Sequence, residues 1–255
     1  MICTVHIGNK YITITTFEQD NVRFSAKISS KIPMSCDQLA VEIKSLCEFN
    51  GVNVNNINGS IIASVVPNLT ENVKTAVGKL FKGKILTVGP GVKTGLNIKI
   101  DFPSELGADF VCFAVCAKEK YQLPLLMVDM GTAVKISALN ENGCFLGCSI
   151  MPGMDMSAEA LSTNTAQLPH ISFEKAEGLI GKNTVESMKS GIIYGMASMI
   201  DGMIEKYKKE MKAQRVNVII TGENSEDILK YLEHDLIYDK NIIAEGMNII
   251  YKKNF

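Results

Sequence analysis

Residues 126–136 of the chain read LMVDMGTAVKI. An apolar run enters this stretch, the carboxylate of Asp129 follows, and Gly131 and Thr132 come before a β-branched run that leaves it. This order predicts a strand, a tight turn and a returning strand. Such a turn suits phosphate, because a glycine lets the backbone approach a ligand closely and Thr132 offers both a hydroxyl and an N–H. Asp129 can hold a cation or a water beside the phosphate.

An imperfect copy of this pattern lies at the N-terminus, where residues 3–12 read CTVHIGNKYI. Strand, polar residue, hydrophobic residue, glycine and returning strand recur in the same order. The copies differ at one important position, because His6 stands where the second copy has Asp129. A phosphate-binding hairpin that recurs about half the chain later predicts two similar domains facing a shared nucleotide cleft.

Composition narrows the class of protein. The chain has 255 residues, which is enough for two modest domains that each bury a core. Lys and Arg number 26 and Asp and Glu number 27, so the near-neutral chain lacks the basic stripe of a nucleic-acid binder. No apolar run approaches transmembrane length, and the N-terminus shows no signal-peptide pattern. We therefore expect a protein with no nucleic-acid or membrane partner.

The seven cysteines are an odd number and lie mostly in apolar segments, which favours a reducing cytoplasm over a disulfide framework. Cys112 and Cys116, like Cys144 and Cys148, have a Cys-x3-Cys spacing that zinc sites also use. Burial as small hydrophobic side chains is the favoured interpretation of both pairs, and zinc is the alternative.

Strand and helix patterns alternate along the whole chain, which predicts the α/β class. Charges and a proline in residues 118–124 predict a domain boundary, giving domains 1–118 and 119–255. The segment Gly181 to Thr184 is predicted to open the longest helix, which runs to about Gln214, and the glycines of this helix would allow close packing inside the core or against another subunit. A last strand is predicted over residues 242–245. His170 and His234 lie in polar turns and are predicted to face solvent.

One further carboxylate is a candidate for chemistry. Ser104 is predicted to cap a helix whose first turn holds Glu105, with Asp109 one turn further along. The neighbours of Asp109 are small or apolar, so its carboxylate is expected in a dry place rather than on a solvated helix face.

Several motifs in a fixed order carry a resemblance to a known family. They include Asp129 to Ala133 and Ile7 to Asn9, together with SVVP at 64–67, GPGVKTG at 89–95, Pro103 with 105–109, Pro152-Gly153, Leu168-Pro169, GKNT at 181–184 with Ser190-Gly191, and ITG at 220–222. In this set the chain closely resembles the type III pantothenate kinases, which belong to the acetate and sugar kinase, heat-shock ATPase and actin superfamily. The resemblance covers nearly the whole chain.

The resemblance implies two ribonuclease-H-like domains with mixed sheets flanked by helices, and a nucleotide cleft between them. It implies a homodimer that transfers the γ-phosphoryl group of ATP to the hydroxyl of pantothenate, the first step towards coenzyme A. The implied co-reactants are ATP, magnesium and a monovalent cation, either potassium or ammonium. Phosphoryl transfer needs positioned phosphates, neutralised charge and a carboxylate to accept the hydroxyl proton, so these roles are physically reasonable.

The resemblance also assigns residues. Asp109 matches the general base, and Asp129 matches the ligand of the monovalent cation. The ATP and phosphate contacts would be His6, Gly8, Asn9, Lys10, Gly131, Thr132 and Gly222. The acceptor contacts would be Ile100, Gly107, Ala108, Asp109, Phe110 and Thr184.

Some of these positions depart from the family pattern. His6 replaces an Asp that helps to hold magnesium, and a neutral imidazole is a poor ligand for that hard cation. Lys10 replaces a hydroxyl residue and could contribute charge in a phosphate loop. Phe110 replaces an Arg, Ile100 replaces a Tyr, and Glu223 replaces a glycine.

These departures leave three hypotheses. The first is a pantothenate kinase with a divergent site, and the retained Asp109, Asp129, Thr132 and Thr184 place it first. The second is a catalytically impaired paralogue with a regulatory or binding role. The third is a kinase for a different, less anionic acceptor, because Ile100 and Phe110 make the acceptor pocket more apolar.

Overall fold

The structure is a computed structural model that describes residues 1–172 and 176–255. The described chain divides into two compact units. The first unit contains Met1–Leu96, Asp101–Glu119 and Asn241–Phe255, and the second contains Asn97–Ile100 and Lys120–Lys240.

The first unit is built on a five-stranded sheet in the order β3-β2-β1-β4-β5. Its strands are β1 (Ile2–Ile7), β2 (Tyr11–Glu18), β3 (Asn21–Ser29), β4 (Gly59–Ser64) and β5 (Lys84–Thr87). Its helices are α1 (Cys36–Phe49), α2 (Pro67–Leu80), α3 (Ala108–Lys120) and a C-terminal helix, α7 (Ile242–Asn254). The helix α1 begins at a capping box that Ser35 and Gln38 form.

The second unit is built on a six-stranded sheet in the order β11-β10-β7-β8-β9-β6. Its strands are β6 (Asn97–Ile98), β7 (Leu125–Met130), β8 (Ala133–Leu139), β9 (Cys144–Pro152), β10 (Asn217–Thr221) and β11 (Ile237–Tyr238). Its helices are α4 (Met154–Thr163), the long α5 (Thr184–Glu210) and the short α6 (Ser225–Ile228).

The two sheets repeat one topology. In the first, β1 pairs antiparallel with β2 and parallel with β4. In the second, β7 pairs antiparallel with β8 and parallel with β10. The α/β class, with two mixed sheets of ribonuclease-H-like topology flanked by helices, is therefore confirmed. Each unit also has its own buried hydrophobic cluster, as a repeated domain requires.

The C-terminal segment corrects one prediction. Residues 242–245 form the start of helix α7 rather than a strand, and the last strand is Ile237–Tyr238. The buried residues of α7 recur at helical spacing, and Gly246 packs so closely that a Cβ there would lie 1.9 Å from the Cys112 oxygen. Because α7 packs on β1 and β4, the first unit includes Asn241–Phe255, which differs from the division into 1–118 and 119–255.

The start of α3 corrects a second prediction. Residues Pro103–Glu105 form a separate 3-10 turn, and α3 begins only at Ala108. Asp109 therefore lies in the first turn of α3 rather than one turn into a helix capped by Ser104.

Candidate active site

The hairpin of β7 and β8 forms the turn that the sequence predicts for phosphate. Met130 pairs with Val134, so Gly131, Thr132 and Ala133 lie between paired residues. A Cβ on Gly131 would lie 3.5 Å from Oδ1 of Asp129, which is ordinary contact. Two glycines from neighbouring segments pack closely against the backbone of this turn.

Those two glycines are Gly153 and Gly222. The N–H of Gly153 donates to the Thr132 oxygen at 3.1 Å, and a Cβ on Gly153 would lie 2.4 Å from that oxygen. Gly222 has φ +111° in the turn after β10, and its Cβ would lie 2.5 Å from the carbonyl carbon of Met130. Only glycine fits either position without movement of the turn. The sequence predicted a ligand role for Gly222 and assigned no site role to Gly153.

Asp129 lies one residue before the end of β7 and pairs with Lys135 of β8. The Lys135 Nζ lies 2.6 Å from the Asp129 Oδ2, and the two side chains are 16% and 14% exposed. Lys135 was not among the site residues predicted from the sequence. The strand register could have identified it, since side chains opposite each other in an antiparallel pair share one face of the sheet.

The N-terminal hairpin repeats this arrangement with different side chains. Ile7 pairs with Ile12, and His6 pairs with Thr13. His6 is thus at the position in β1 that Asp129 has in β7, one residue before the last paired residue. The N–H of Gly8 donates to the Tyr11 oxygen at 2.9 Å, which closes a turn one residue longer than that of the second hairpin.

The turn between β1 and β2 holds the remaining predicted phosphate contacts. The Ser30 hydroxyl donates to the Gly8 oxygen at 2.7 Å, which ties this turn to the end of β3. Asn9 is exposed. Lys10 is half-buried, and its ammonium lies 5.6 Å from the centroid of the Tyr11 ring. Lys10 thus places a positive charge on this hairpin.

Asp109 is buried at the N-terminal end of α3, with 5% of the residue exposed. Its Oδ1 accepts the N–H of Phe110 at 2.8 Å. A Cβ on Gly107 would lie 2.7 Å from the same Oδ1, so the carboxylate folds back over the space that the glycine leaves. The start of a helix stabilises an anion. Burial, and next the Asp109 charge, raise the pKa of the Cys112 thiol. Cys112 therefore remains a neutral neighbour.

The other predicted acceptor contacts fall in two places. Gly107, Ala108 and Phe110 surround Asp109 at the start of α3, and each of the three is half-buried. Ile100, also half-buried, belongs to the second unit. Thr184 is the exposed first residue of α5, directly after Asn183, whose Oδ1 caps the helix by accepting the Glu186 N–H at 2.9 Å.

Two other sequence predictions concern polar side chains away from these turns. His170 is exposed as predicted, whereas His234 bridges Asp201 and Glu205 and its side chain is only 23% exposed. Cys112, Cys116 and Cys144 are buried, but Cys148 is exposed. Over the ranges 1–172 and 176–255, no group of three or more His, Cys, Asp or Glu side chains is arranged to hold a metal ion.

Comparison with known proteins agrees with the motifs. The family model for type III pantothenate kinase matches residues 2–206. The chain belongs to the type III pantothenate kinase family. A type III pantothenate kinase of Agathobacter rectalis is 34% identical over 253 residues, which cover 99% of this chain and 97% of that protein. Membership of this kinase family implies the use of ATP and a divalent metal, and a small-molecule acceptor.

Solved structures show the same fold at low identity. A protein from Campylobacter jejuni described as a Baf family transcriptional activator is 19% identical, with a TM-score of 0.60 and coverage of 99% of this chain and 98% of that one. Component A of the (R)-2-hydroxyglutaryl-CoA dehydratase of Acidaminococcus fermentans is 13% identical, with a TM-score of 0.58 and coverage of 100% and 99%. At these identities the likeness concerns the fold alone. None of the helices in the described part of the chain is long and apolar enough to cross a membrane.

Proposed function

We propose that this chain is an ATP-dependent kinase that phosphorylates pantothenate to 4'-phosphopantothenate. The observation that carries the proposal is the buried Asp109 carboxylate at the start of α3, in a chain that matches the family model over residues 2–206. A buried carboxylate beside small residues is the group that a kinase needs to accept a proton from an alcohol.

In the proposed reaction the acceptor hydroxyl oxygen attacks the γ-phosphorus of ATP. A new O–P bond forms, the bond from the γ-phosphorus to the bridging oxygen breaks, and ADP leaves with that electron pair. Asp109 accepts the hydroxyl proton. The turn at Gly131 and Thr132, supported by Gly153 and Gly222, holds the phosphates of ATP through backbone N–H groups and the Thr132 hydroxyl. Lys10 supplies charge from the first hairpin.

The metal requirement fits this chain only in part. Magnesium prefers oxygen ligands and commonly keeps several waters while it is held by substrate phosphates. His6 offers an imidazole nitrogen at the end of β1, which does not suit that ion. The phosphates of ATP, rather than His6, would hold most of a magnesium ion's coordination sphere, and the ion would supply neutralisation of phosphate charge there. The potassium or ammonium ion expected at Asp129 fits less well, because the Lys135 ammonium already contacts that carboxylate.

A kinase for a less anionic acceptor is the second candidate. Phe110 follows Asp109 directly and is half-buried, so an aromatic ring rather than a cation borders the proposed base. An apolar wall of this kind favours an acceptor without a carboxylate, because a buried anion needs a positive partner.

A homodimer is part of the proposal. Leu179 and Ile180 are 66% and 84% exposed, yet the segment is tied to α5 because the Ser190 hydroxyl donates to the Leu179 oxygen. On the same helix, a Cβ on Gly191 or Gly195 would meet no described atom within 4 Å. Fixed apolar side chains beside open space on a helix favour a second copy of the chain as the partner. The reduced state of all seven cysteines supports a location in the cytoplasm.

The test is ADP release from MgATP with saturating pantothenate, compared between the wild-type chain and Asp109→Asn. We expect pantothenate-dependent turnover that falls by about 100-fold or more in the variant, the usual size of a general-base contribution. Turnover with a neutral alcohol acceptor but not with pantothenate would favour the second candidate. A folded wild-type chain without turnover on either class of acceptor would refute the kinase proposal and favour a catalytically impaired binding protein.

A further inference from the structure

The side chain opposite Asp129 is Lys135, to which the sequence motifs assign no role. Asp129 and Lys135 are directly opposite in the register of β7 and β8. Their charged atoms lie 2.6 Å apart. Because the register of a hairpin is set by its turn and its buried face, this contact is built into the fold and does not depend on a flexible loop.

We propose that the Lys135 ammonium takes the place of the dissolved monovalent cation at Asp129, so that this chain needs neither potassium nor free ammonium. The ammonium group of lysine carries the same single positive charge as a potassium or an ammonium ion, and it is an alkylated ammonium. It reaches the carboxylate with its donors in the way that a bound ammonium ion would.

The surroundings of the Asp129 carboxylate favour the Lys135 ammonium over a dissolved cation. The two side chains are only 16% and 14% exposed, so solvent screens their attraction less than it screens a surface pair. A potassium ion would have to displace a group that is covalently held on the same hairpin and therefore present at high effective concentration. Displacement would also leave the ammonium partly buried without its carboxylate, which is costly.

The position of the pair connects it to the proposed ATP site. Asp129 lies two residues before Gly131, and the oxygen of Thr132 accepts the Gly153 N–H in the same turn. A positive charge at the base of this turn would help to hold phosphate and to orient the turn. The first hairpin has a neutral hydroxyl at the equivalent position, since His6 is opposite Thr13. Of the two hairpins, the second therefore has a lysine at this position and the first does not.

The inference rests on the proposed function for its effect on ATP, but the cation requirement can be measured without nucleotide. The melting temperature of the full-length chain is measured in potassium chloride and in choline chloride at equal ionic strength, first without and then with MgATP. The affinity for MgATP is measured by calorimetry in the same two salts. Choline is too large to bind closely to one carboxylate. For the wild-type chain we expect the same melting temperature and the same MgATP affinity in both salts.

The variant Lys135→Met should make the chain depend on dissolved potassium. We expect it to melt at a higher temperature in potassium than in choline, and to bind MgATP at least tenfold more tightly in potassium. Lys135→Gln serves as a second variant in case methionine disturbs folding, with the same expectation. Lys120→Met is the matched control, because it removes the lysine 2.7 Å from buried Asp239 in the same unit, and it should show no preference for potassium.

Two results would overturn the inference. One is a wild-type chain that potassium stabilises over choline, since Asp129 would then bind the dissolved ion despite Lys135. The other is a pair of folded Lys135 variants that melt identically in both salts. A failure to bind MgATP in any salt would count against the proposed function, while the melting comparison would still decide the role of Lys135.

Discussion

The Asp109 carboxylate is positioned by a residue that lacks a side chain. Its Oδ1 occupies the space beside Gly107 and accepts the Phe110 N–H. A methyl group at position 107 would come within 2.7 Å of that oxygen, closer than real Cβ contacts allow. The carboxylate is the end of a short flexible side chain, so it would rotate away while the backbone of α3 stays in place.

We therefore expect Gly107→Ala to lower kcat by tenfold or more and to leave the melting temperature within a few degrees. Misplacement of a catalytic group by about 1 Å can cost this much in rate. Steady-state kinetics with MgATP and pantothenate, together with a thermal melt, measure the two quantities.

Gly202→Ala is the matched control for that variant. Gly202 is exposed on α5, and an added Cβ would meet no described atom within 4 Å. It should keep full activity and gain stability, by about 1 kcal/mol at most, from the better helix propensity of alanine. Full activity in Gly107→Ala would show that the observed position of the Asp109 carboxylate is unimportant for turnover.

The sequence revealed the carboxylates but not all of their neighbours. Asp109 and Asp129 are conspicuous because each is a charged residue among apolar ones, and Asp109 is buried as expected. The sequence leaves the length of the tight turn open, and a two-residue turn at Gly131 and Thr132 would place Val134 rather than Lys135 opposite Asp129. The observed turn leaves three residues between the last paired positions, and this single-residue offset brings Lys135 to the carboxylate.

At the level of elements, hydrogen bonds of His234 and Glu233 join the segment after the 3-10 turn Leu229–Tyr231 to α5. The His234 Nδ1 lies 2.8 Å from Asp201 Oδ1, and its Nε2 lies 2.8 Å from Glu205 Oε1. Asp201 also accepts the backbone N–H groups of Glu233 at 2.9 Å and His234 at 3.2 Å. Partial burial lowers the pKa of His234, but the hydrogen bonds to the two carboxylates outweigh it, and the net shift is upward.

A raised pKa gives this contact a defined pH dependence. The folded state favours the protonated imidazole, so the contribution to stability is complete below the unfolded pKa of about 6.5 and disappears as the pH rises through the folded value. We expect His234→Gln to cost about 1 kcal/mol more of the free energy of unfolding at pH 5.5 than at pH 8.5, a size typical of partly screened ion pairs. Urea denaturation at both pH values measures the difference.

The exposed His170 provides the control, because its Nδ1 contacts only a hydroxyl, that of Ser162 at 3.0 Å, among the contacts described for its ring. His170→Gln should cost little stability, within about 0.5 kcal/mol, because it replaces an exposed side chain that makes no ion pair among the described contacts. An equal cost for His234→Gln at pH 5.5 and pH 8.5 would mean that the imidazole acts as a neutral hydrogen-bonding group rather than as a cation.

Helices and strands were predicted correctly where local sequence signals agreed. They were predicted wrongly where tertiary packing determines the secondary structure. The capping box at Ser35 and the two hairpins that the sequence predicts for phosphate follow from short-range chemistry. The segment 242–245 looked like a strand because its apolar run is short and Gly246 follows it. In the structure Gly246 lies inside α7, where it lets the helix approach the Cys112 backbone, and no local pattern announces that contact.

For the whole molecule, exposed apolar residues beside α5 bear on how two copies of the chain would assemble. Leu179 and Ile180, shortly before α5, are large apolar residues that are 66% and 84% exposed. In a symmetric dimer each such residue would be buried twice, once in each protomer. The free energy from even partial burial would then count double in the dimer affinity.

We expect sedimentation analysis to give a mass of twice the 27.9 kDa chain. Ile180→Ser should weaken the dimer by tenfold or more, because a loss of roughly 1 kcal/mol at each of two symmetric positions exceeds the 1.4 kcal/mol that a tenfold change requires. Phe49→Ser is the control: Phe49 is 89% exposed at the end of α1 in the first unit, so its removal should leave the dimer unchanged. A monomeric wild-type chain, or equal weakening by both variants, would refute this interface. Dimer dissociation in Ile180→Ser alone would locate the interface at the start of α5, close to the Thr184 that the family pattern assigns to the acceptor.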